Sequence, residues 1–146
     1  MASPKKPSSL DGHQARKRFG QNFLQDVSVI DNIVSMVLKD SDTYINTKYI
    51  EIGPGLGALT GPLFKATQQL SVLELDKDLA AALPMRLGVY QAIDDGTFCV
   101  VQTDALRYNF SQLVDNPTQQ LRVLGNLPYN ISTPIIFHLL SFTGLI

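Results

Sequence analysis

The run Lys48-Tyr49-Ile50-Glu51-Ile52-Gly53-Pro54-Gly55-Leu56-Gly57 decides the fold. Its first five residues read as a β-strand. The glycines that follow let the backbone turn sharply and approach a ligand closely, and Pro54 stiffens the turn. A helix through Leu63 and Phe64 comes next. Strand, glycine loop and helix in that order open a parallel α/β sheet.

The same alternation continues downstream. Leu70-Ser71-Val72-Leu73-Glu74-Leu75 reads as a second strand, followed by an alanine- and leucine-rich helix from Lys77. Phe98 to Gln102 is a third strand and Leu121-Arg122-Val123-Leu124-Gly125 a fourth. Thr133 to Ser141 is helical, with Pro134 in its first turn. Upstream, Val27, Ile30, Ile33, Val34, Val37 and Leu38 recur at helical spacing behind Asp26, a suitable N-cap. Gly88 to Gly96 and Asn116 to Gln120 read as surface loops. Strands apolar throughout, alternating with helices, predict a Rossmann-like parallel sheet with helices on both faces. Four strands are expected, and sheets of this kind continue for several more. Further strands would cover the apolar edge beside the fourth, so the chain reads as the front part of a longer catalytic domain, spanning residues 19–146.

With 146 residues, 45% hydrophobic and 17% charged, the chain has the composition of one globular domain and is neither fibrous nor intrinsically disordered as a whole. The net charge of -1 gives no bulk sign of nucleic-acid binding. The distribution says more: Lys5, Lys6, Arg16, Lys17 and Arg18 make residues 1–18 a basic, flexible arm able to follow a phosphate backbone. A solvated tail explains Lys5 and Lys6 equally well. One cysteine, Cys99, allows no internal disulfide and fits a reducing cytoplasm; in an apolar strand it is expected to be a buried, inert thiol. The N-terminus has no apolar stretch of signal-peptide length. No run approaches the roughly 20 apolar residues of a membrane span.

Ligand chemistry gathers at the carboxyl ends of the strands, where such sheets open their crevice. Gly53 and Gly55 lie there after the first strand. Glu74 ends the second strand about 20 residues on, where an acid can accept hydrogen bonds from ribose hydroxyls. Asp104 follows the third strand; alone it would read as a helix cap, and with its neighbours it reads as a further ligand contact. Together these favour a nucleoside-type ligand over an empty turn. After the fourth strand comes Asn126-Leu127-Pro128-Tyr129. The lone pair of an exocyclic adenine amine is delocalised into its ring, which makes it a poor nucleophile. The Asn126 side-chain oxygen and the Leu127 or Pro128 carbonyl can accept its two N–H groups and so assist it. Tyr129 offers a face on which a flipped base can stack. The plain alternative is an Asn-x-Pro turn with a buried tyrosine.

These segments resemble a known family. The glycine loop has glycine at every second position, unlike the Gly-x-Gly-x-x-Gly of dinucleotide-binding folds, and is similar to that of S-adenosylmethionine methyltransferases. Arg18-Phe19-Gly20-Gln21-Asn22-Phe23-Leu24, Glu51 to Thr60, Glu74-Leu75-Asp76, Asp104-Ala105 and Gly125 to Pro134 resemble the ribosomal RNA adenine dimethyltransferases of the bacterial small-subunit type. The resemblance covers nearly the whole chain from Arg16 onward. It implies S-adenosylmethionine as cofactor, contacted by Asn22, Leu24, Gly53, Gly55, Glu74, Asp104 and Asn126. It implies that Asn126, Leu127, Pro128 and Tyr129 serve the target adenine. It also implies two adjacent adenines near the 3′ end of small-subunit rRNA, dimethylated at N6 within the immature 30S subunit, and a cytoplasmic monomer that needs no metal and no membrane. The family continues with the rest of the sheet, a further aromatic at the base and a helical RNA-binding domain.

Three other readings compete. Large-subunit rRNA adenine methyltransferases share much of the pattern, though Leu127 and Asn130 to Pro134 favour the small-subunit type. A non-catalytic assembly factor could use the same fold to bind immature subunits. A small-molecule or DNA methyltransferase is the third, and DNA adenine enzymes carry a related loop with proline where Leu127 stands.

Overall fold

The computed structural model describes residues 26–39 and 46–146. The elements follow one another as α1 (Val27–Leu38), β1 (Thr47–Ile52), α2 (Thr60–Thr67), β2 (Leu70–Glu74), α3 (Lys77–Leu87), α4 (Tyr90–Asp94), β3 (Phe98–Gln102), a 3₁₀ turn at Phe110–Leu113, β4 (Gln120–Gly125) and α5 (Tyr129–Leu140). The four strands form one parallel sheet in the order β3-β2-β1-β4. The chain steps outward from β1 to β3, then returns to lay β4 on the other side of β1. This reversal between β1 and β4 is the switch point at which such sheets open a ligand crevice.

Both faces of the sheet are covered, as expected for strands of this composition. Val72, Leu70 and Phe98 pack with Leu63 of α2 and Leu83 of α3, and Val34 and Val37 of α1 lean on the same side. Ile50, Ile52, Leu73 and Leu121 pack on the other face with Phe110, Leu113 and Ile135 of α5. Ile50, Leu63, Leu70, Val72, Leu83 and Phe110 are fully buried, each stabilising the fold by roughly 1.5–3 kcal/mol relative to exposure.

Local chemistry sets the ends of the elements. Asp26 caps α1, its carboxylate accepting from the amides of Ser28 at 2.9 Å and Val29 at 3.4 Å. The Arg122 guanidinium, reaching out from β4, donates to the Val37 and Lys39 carbonyls at the other end of that helix. Asp76 caps α3 through the amides of Asp78 and Leu79.

Three expectations need correction. Gly88 to Gly96 is not a simple loop: Val89 is buried against Leu63 and Phe98, and one turn of helix, α4, forms over Tyr90–Asp94 before Thr97 returns to the Ala92 carbonyl. The last helix starts at Tyr129, four residues early, because the extended Pro128 offers its carbonyl to the amides of Ile131 and Ser132. Pro134 therefore lies past the first turn, where it withholds the amide that would bond back to residue 130. Cys99 is exposed. It alternates with the buried Phe98 on β3, the edge strand.

Candidate functional site

The register of β1 against β4 pairs Ile52 with Gly125, so the glycine loop and the Asn126 loop leave the sheet side by side. Gly125 permits this closeness: a Cβ there would stand 2.7 Å from the Ile52 carbonyl oxygen. Leu127 then folds over the neighbouring loop. A Cβ on Gly53, whose φ is +68°, would meet the Leu127 side chain at 3.1 Å.

The glycine loop is held from beneath by Glu74. Its Oε1 accepts from the Gly55 amide at 3.1 Å and its Oε2 from the Asp76 amide at 3.0 Å. Arg86 of α3 donates to the Leu56 carbonyl at 3.1 Å and pins the far side of the loop. Glu74 is buried, and burial pushes its carboxyl above the ordinary range; the amides of Asp76, Gly55 and Leu75 work against that rise, and the charge of Asp76 adds to it. Each carboxylate oxygen has accepting capacity beyond the amide it holds.

Glu51, one strand position before the loop, escaped the sequence reading as a distinct group. It is 2% exposed, and burial pushes its carboxyl up to about 7. The Thr60 hydroxyl opposes the rise and the Glu74 charge reinforces it. Neither Glu51 Oε2 nor the buried Thr60 hydroxyl has a hydrogen-bond partner of sound geometry among the described residues. The signal was present in the sequence: a carboxylate in the middle of an apolar strand needs a reason.

The other predicted residues divide. Asn126 is half-buried at the end of β4, and its amide makes no hydrogen bond among the described residues. Tyr129 is 95% exposed, so the buried-tyrosine alternative is wrong; its ring projects from the start of α5. Pro128 fixes the entry to that helix. Asp104 caps its own turn, accepting from the Leu106 amide at 3.0 Å, with Arg107 3.9 Å from its second oxygen. Asn22, Leu24 and the basic arm of residues 1–18 lie outside the described residues.

The arrangement suits a nucleoside bearing a charged tail. The glycine loop offers amides and small residues, Glu74 stands at the end of β2, and Asn126, without a hydrogen-bond partner among the described residues, stands beside that loop at the end of β4. Among the described residues no cluster of His, Cys, Asp and Glu could hold a metal ion, and no helix is long and apolar enough to cross a membrane.

A parallel sheet of this order, with a glycine loop after its first strand and an acid ending its second, defines a Rossmann-like methyltransferase fold. Solved structures agree. The 23S rRNA methyltransferase ErmE superposes with a TM-score of 0.63 at 27% identity, over 82% of this chain and 43% of that one. The methyltransferase PaMTH1 of Podospora anserina, solved with S-adenosylhomocysteine, shares the fold with a TM-score of 0.57 at 16% identity, over 97% of this chain and 59% of its own. Residues 12–145 match the ribosomal RNA adenine dimethylase family, and the chain belongs to that family. The ribosomal RNA small subunit methyltransferase A of Hahella chejuensis is 50% identical over 135 residues, which cover 92% of this chain and 46% of the relative. That of Saccharophagus degradans is 49% identical over 143 residues, 97% of this chain and 49% of the relative. The chain thus spans about half the length of the curated relatives it matches.

Proposed function

We propose that residues 19–146 form the cofactor-binding part of an S-adenosylmethionine-dependent adenine N6-dimethyltransferase acting on small-subunit rRNA. The observation that carries this reading is the junction of the two loops. Gly125 lets the Asn126 loop lie against the glycine loop, and Asn126 stands there with a free amide beside an exposed aromatic ring. A methyl donor and an amine acceptor need that adjacency.

When bound, S-adenosylmethionine supplies an electrophilic methyl group on a sulfonium. Gly53, Gly55, Glu74 and Asp104 would hold the nucleoside part, and the family resemblance adds Asn22 and Leu24 to that set. Asn126 accepts one N–H of the adenine amine through its side-chain oxygen, and the Leu127 or Pro128 carbonyl accepts the other. These contacts localise the nitrogen lone pair and aim it at the methyl carbon. Bound there, the donor would give its methyl group to the amine nitrogen and keep the sulfur–carbon electron pair on sulfur, and the amine proton would pass to bulk water. Positioning and electrostatics supply the acceleration. Tyr129 stacks on the base and is not consumed.

The substrate proposed is a pair of adjacent adenines near the 3′ end of small-subunit rRNA, presented by the immature 30S particle in the cytoplasm to a monomeric enzyme. The likeness to ErmE favours one other reading, a large-subunit substrate. A methyl-transfer assay on both RNAs with a full-length protein containing this segment separates them. Methylation of small-subunit RNA alone is expected, and methylation of large-subunit RNA alone overturns the assignment. Calorimetry of the 146-residue chain with S-adenosylmethionine is expected to show weak binding at most, and robust turnover by this chain alone would refute the view that it needs the remainder of the domain. Subunit maturation that survived Asn126→Ala would establish a separate binding role.

A further inference from the structure

Asp104 follows β3 and Asn126 follows β4, and these strands are not neighbours: β2 and β1 lie between them. Three strand spacings of about 4.8 Å put roughly 14 Å between the two strand ends. A ligand lying across the crevice from one to the other needs that span held constant. The three intervening ladders fix the strand ends, but the Asp104 turn and the Asn126 loop lie beyond the last paired residues, Gln102 and Gly125, and no ladder reaches them.

The α5 face supplies a connection. His138 of α5 donates from Nε2 to the Tyr108 carbonyl at 2.7 Å. The carbonyl can only accept, so the proton resides on Nε2. Among the described residues no other side-chain hydrogen bond joins the segment 103–113 to α5. The imidazole is fixed in turn by rings. It meets Phe142 at 5.3 Å and Phe110 at 5.9 Å between centroids, and Phe110 meets Tyr108 edge-on at 5.6 Å. Ala105, Leu106 and Tyr108 on one side and Ile135 and Leu139 on the other share one apolar cluster with Leu127. The latch therefore ties the turn that begins at Asp104 to the helix that begins at Tyr129.

We propose that His138 is a positioning residue: by bonding to Tyr108 it sets the separation between the Asp104 turn and the Asn126 loop, and so the geometry of the cofactor crevice. This rests on the methyltransferase reading of that crevice.

Two variants of a full-length protein containing this segment test it. His138→Phe keeps an aromatic ring among Phe110 and Phe142 and removes the donor. His138→Gln keeps a donor and removes the ring. Amide exchange is followed at Leu106 and Arg107, whose amides both bond to Asp104, and at Val72 and Leu73 in the sheet centre. Cofactor affinity is read by calorimetry with S-adenosylmethionine. His138→Phe is expected to speed exchange at Leu106 and Arg107 by about threefold to tenfold, as for one lost hydrogen bond. Val72 and Leu73 should not change, affinity should fall by a similar factor, and His138→Gln should restore both. The proposal is overturned if exchange at Leu106 and Arg107 is unchanged, or rises equally at Val72, or is not restored by glutamine, or if the phenylalanine variant binds cofactor as the parent does. A full-length parent that binds no S-adenosylmethionine would overturn the methyltransferase reading of this crevice, and the exchange measurements would still decide the latch.

Discussion

The carboxylate of Glu74 holds the backbone amide of Gly55 at 3.1 Å while its other oxygen holds that of Asp76. One side chain at the end of β2 thus organises the loop after β1 and the start of α3. Glu74→Ala removes both acceptors and leaves two amides to find others. The expected cost is about 1–3 kcal/mol of stability, read as a lower urea midpoint, with a larger proportional loss of S-adenosylmethionine affinity by calorimetry. Glu74→Gln, which retains one acceptor oxygen, should fall between the parent and the alanine variant.

Glu51 makes the fold sensitive to pH. Its carboxyl ionises near 4.5 when unfolded and at about 7 when folded. Between those values the folded state binds more protons, so stability falls as pH rises. The loss is absent below about 4.5 and complete above about 7, and amounts to at most about 3 kcal/mol at 1.36 kcal/mol for each pH unit. The raised carboxyl of Glu74 contributes a slope of the same sign. Urea midpoints measured from pH 5 to 8.5 should decline, and Glu51→Gln should flatten the decline.

Gly125→Ala places a methyl group 2.7 Å from the Ile52 carbonyl oxygen, a backbone atom that cannot swing away, and 3.4 Å from the Leu127 side chain. The two strand ends must separate. A destabilisation of roughly 1–3 kcal/mol is expected, as for other overpacked sites, and thermal melting should show it.

Tyr129 is exposed and the Asn126 amide is without a hydrogen-bond partner among the described residues, so neither supports the fold through such contacts. Tyr129→Ala and Asn126→Ala should each leave stability within about 0.5 kcal/mol of the parent. In a full-length protein both should depress methyl transfer, Asn126→Ala to background. A large drop in melting temperature for either would contradict this division between stability and chemistry.

Cys99 is exposed on the edge strand. A thiol reagent should label it in the native protein at a rate independent of denaturant at low concentration. Labelling that tracks global unfolding would show the thiol to be covered.

The four strands, the helices behind Asp26, after the glycine loop and from Lys77, the cap at Asp26 and the glycine loop were legible in the chain, because each rests on local periodicity and turn chemistry; α4 and the start of the last helix at Tyr129 were not. Membership of the ribosomal RNA adenine dimethylase family was legible in the same motifs and agrees with the match over residues 12–145. Tertiary structure decided the rest. Whether Cys99 is covered depends on which strand lies at the edge of the sheet. Glu51 is enclosed, with its Oε2 lacking a partner among the described residues, at a place where Thr60 of α2 lies beside it. Gly125 is required because of a carbonyl on another strand, and His138 meets Tyr108 only because α5 lies across the face between them. These are contacts between residues distant in sequence, and no local pattern encodes their separation.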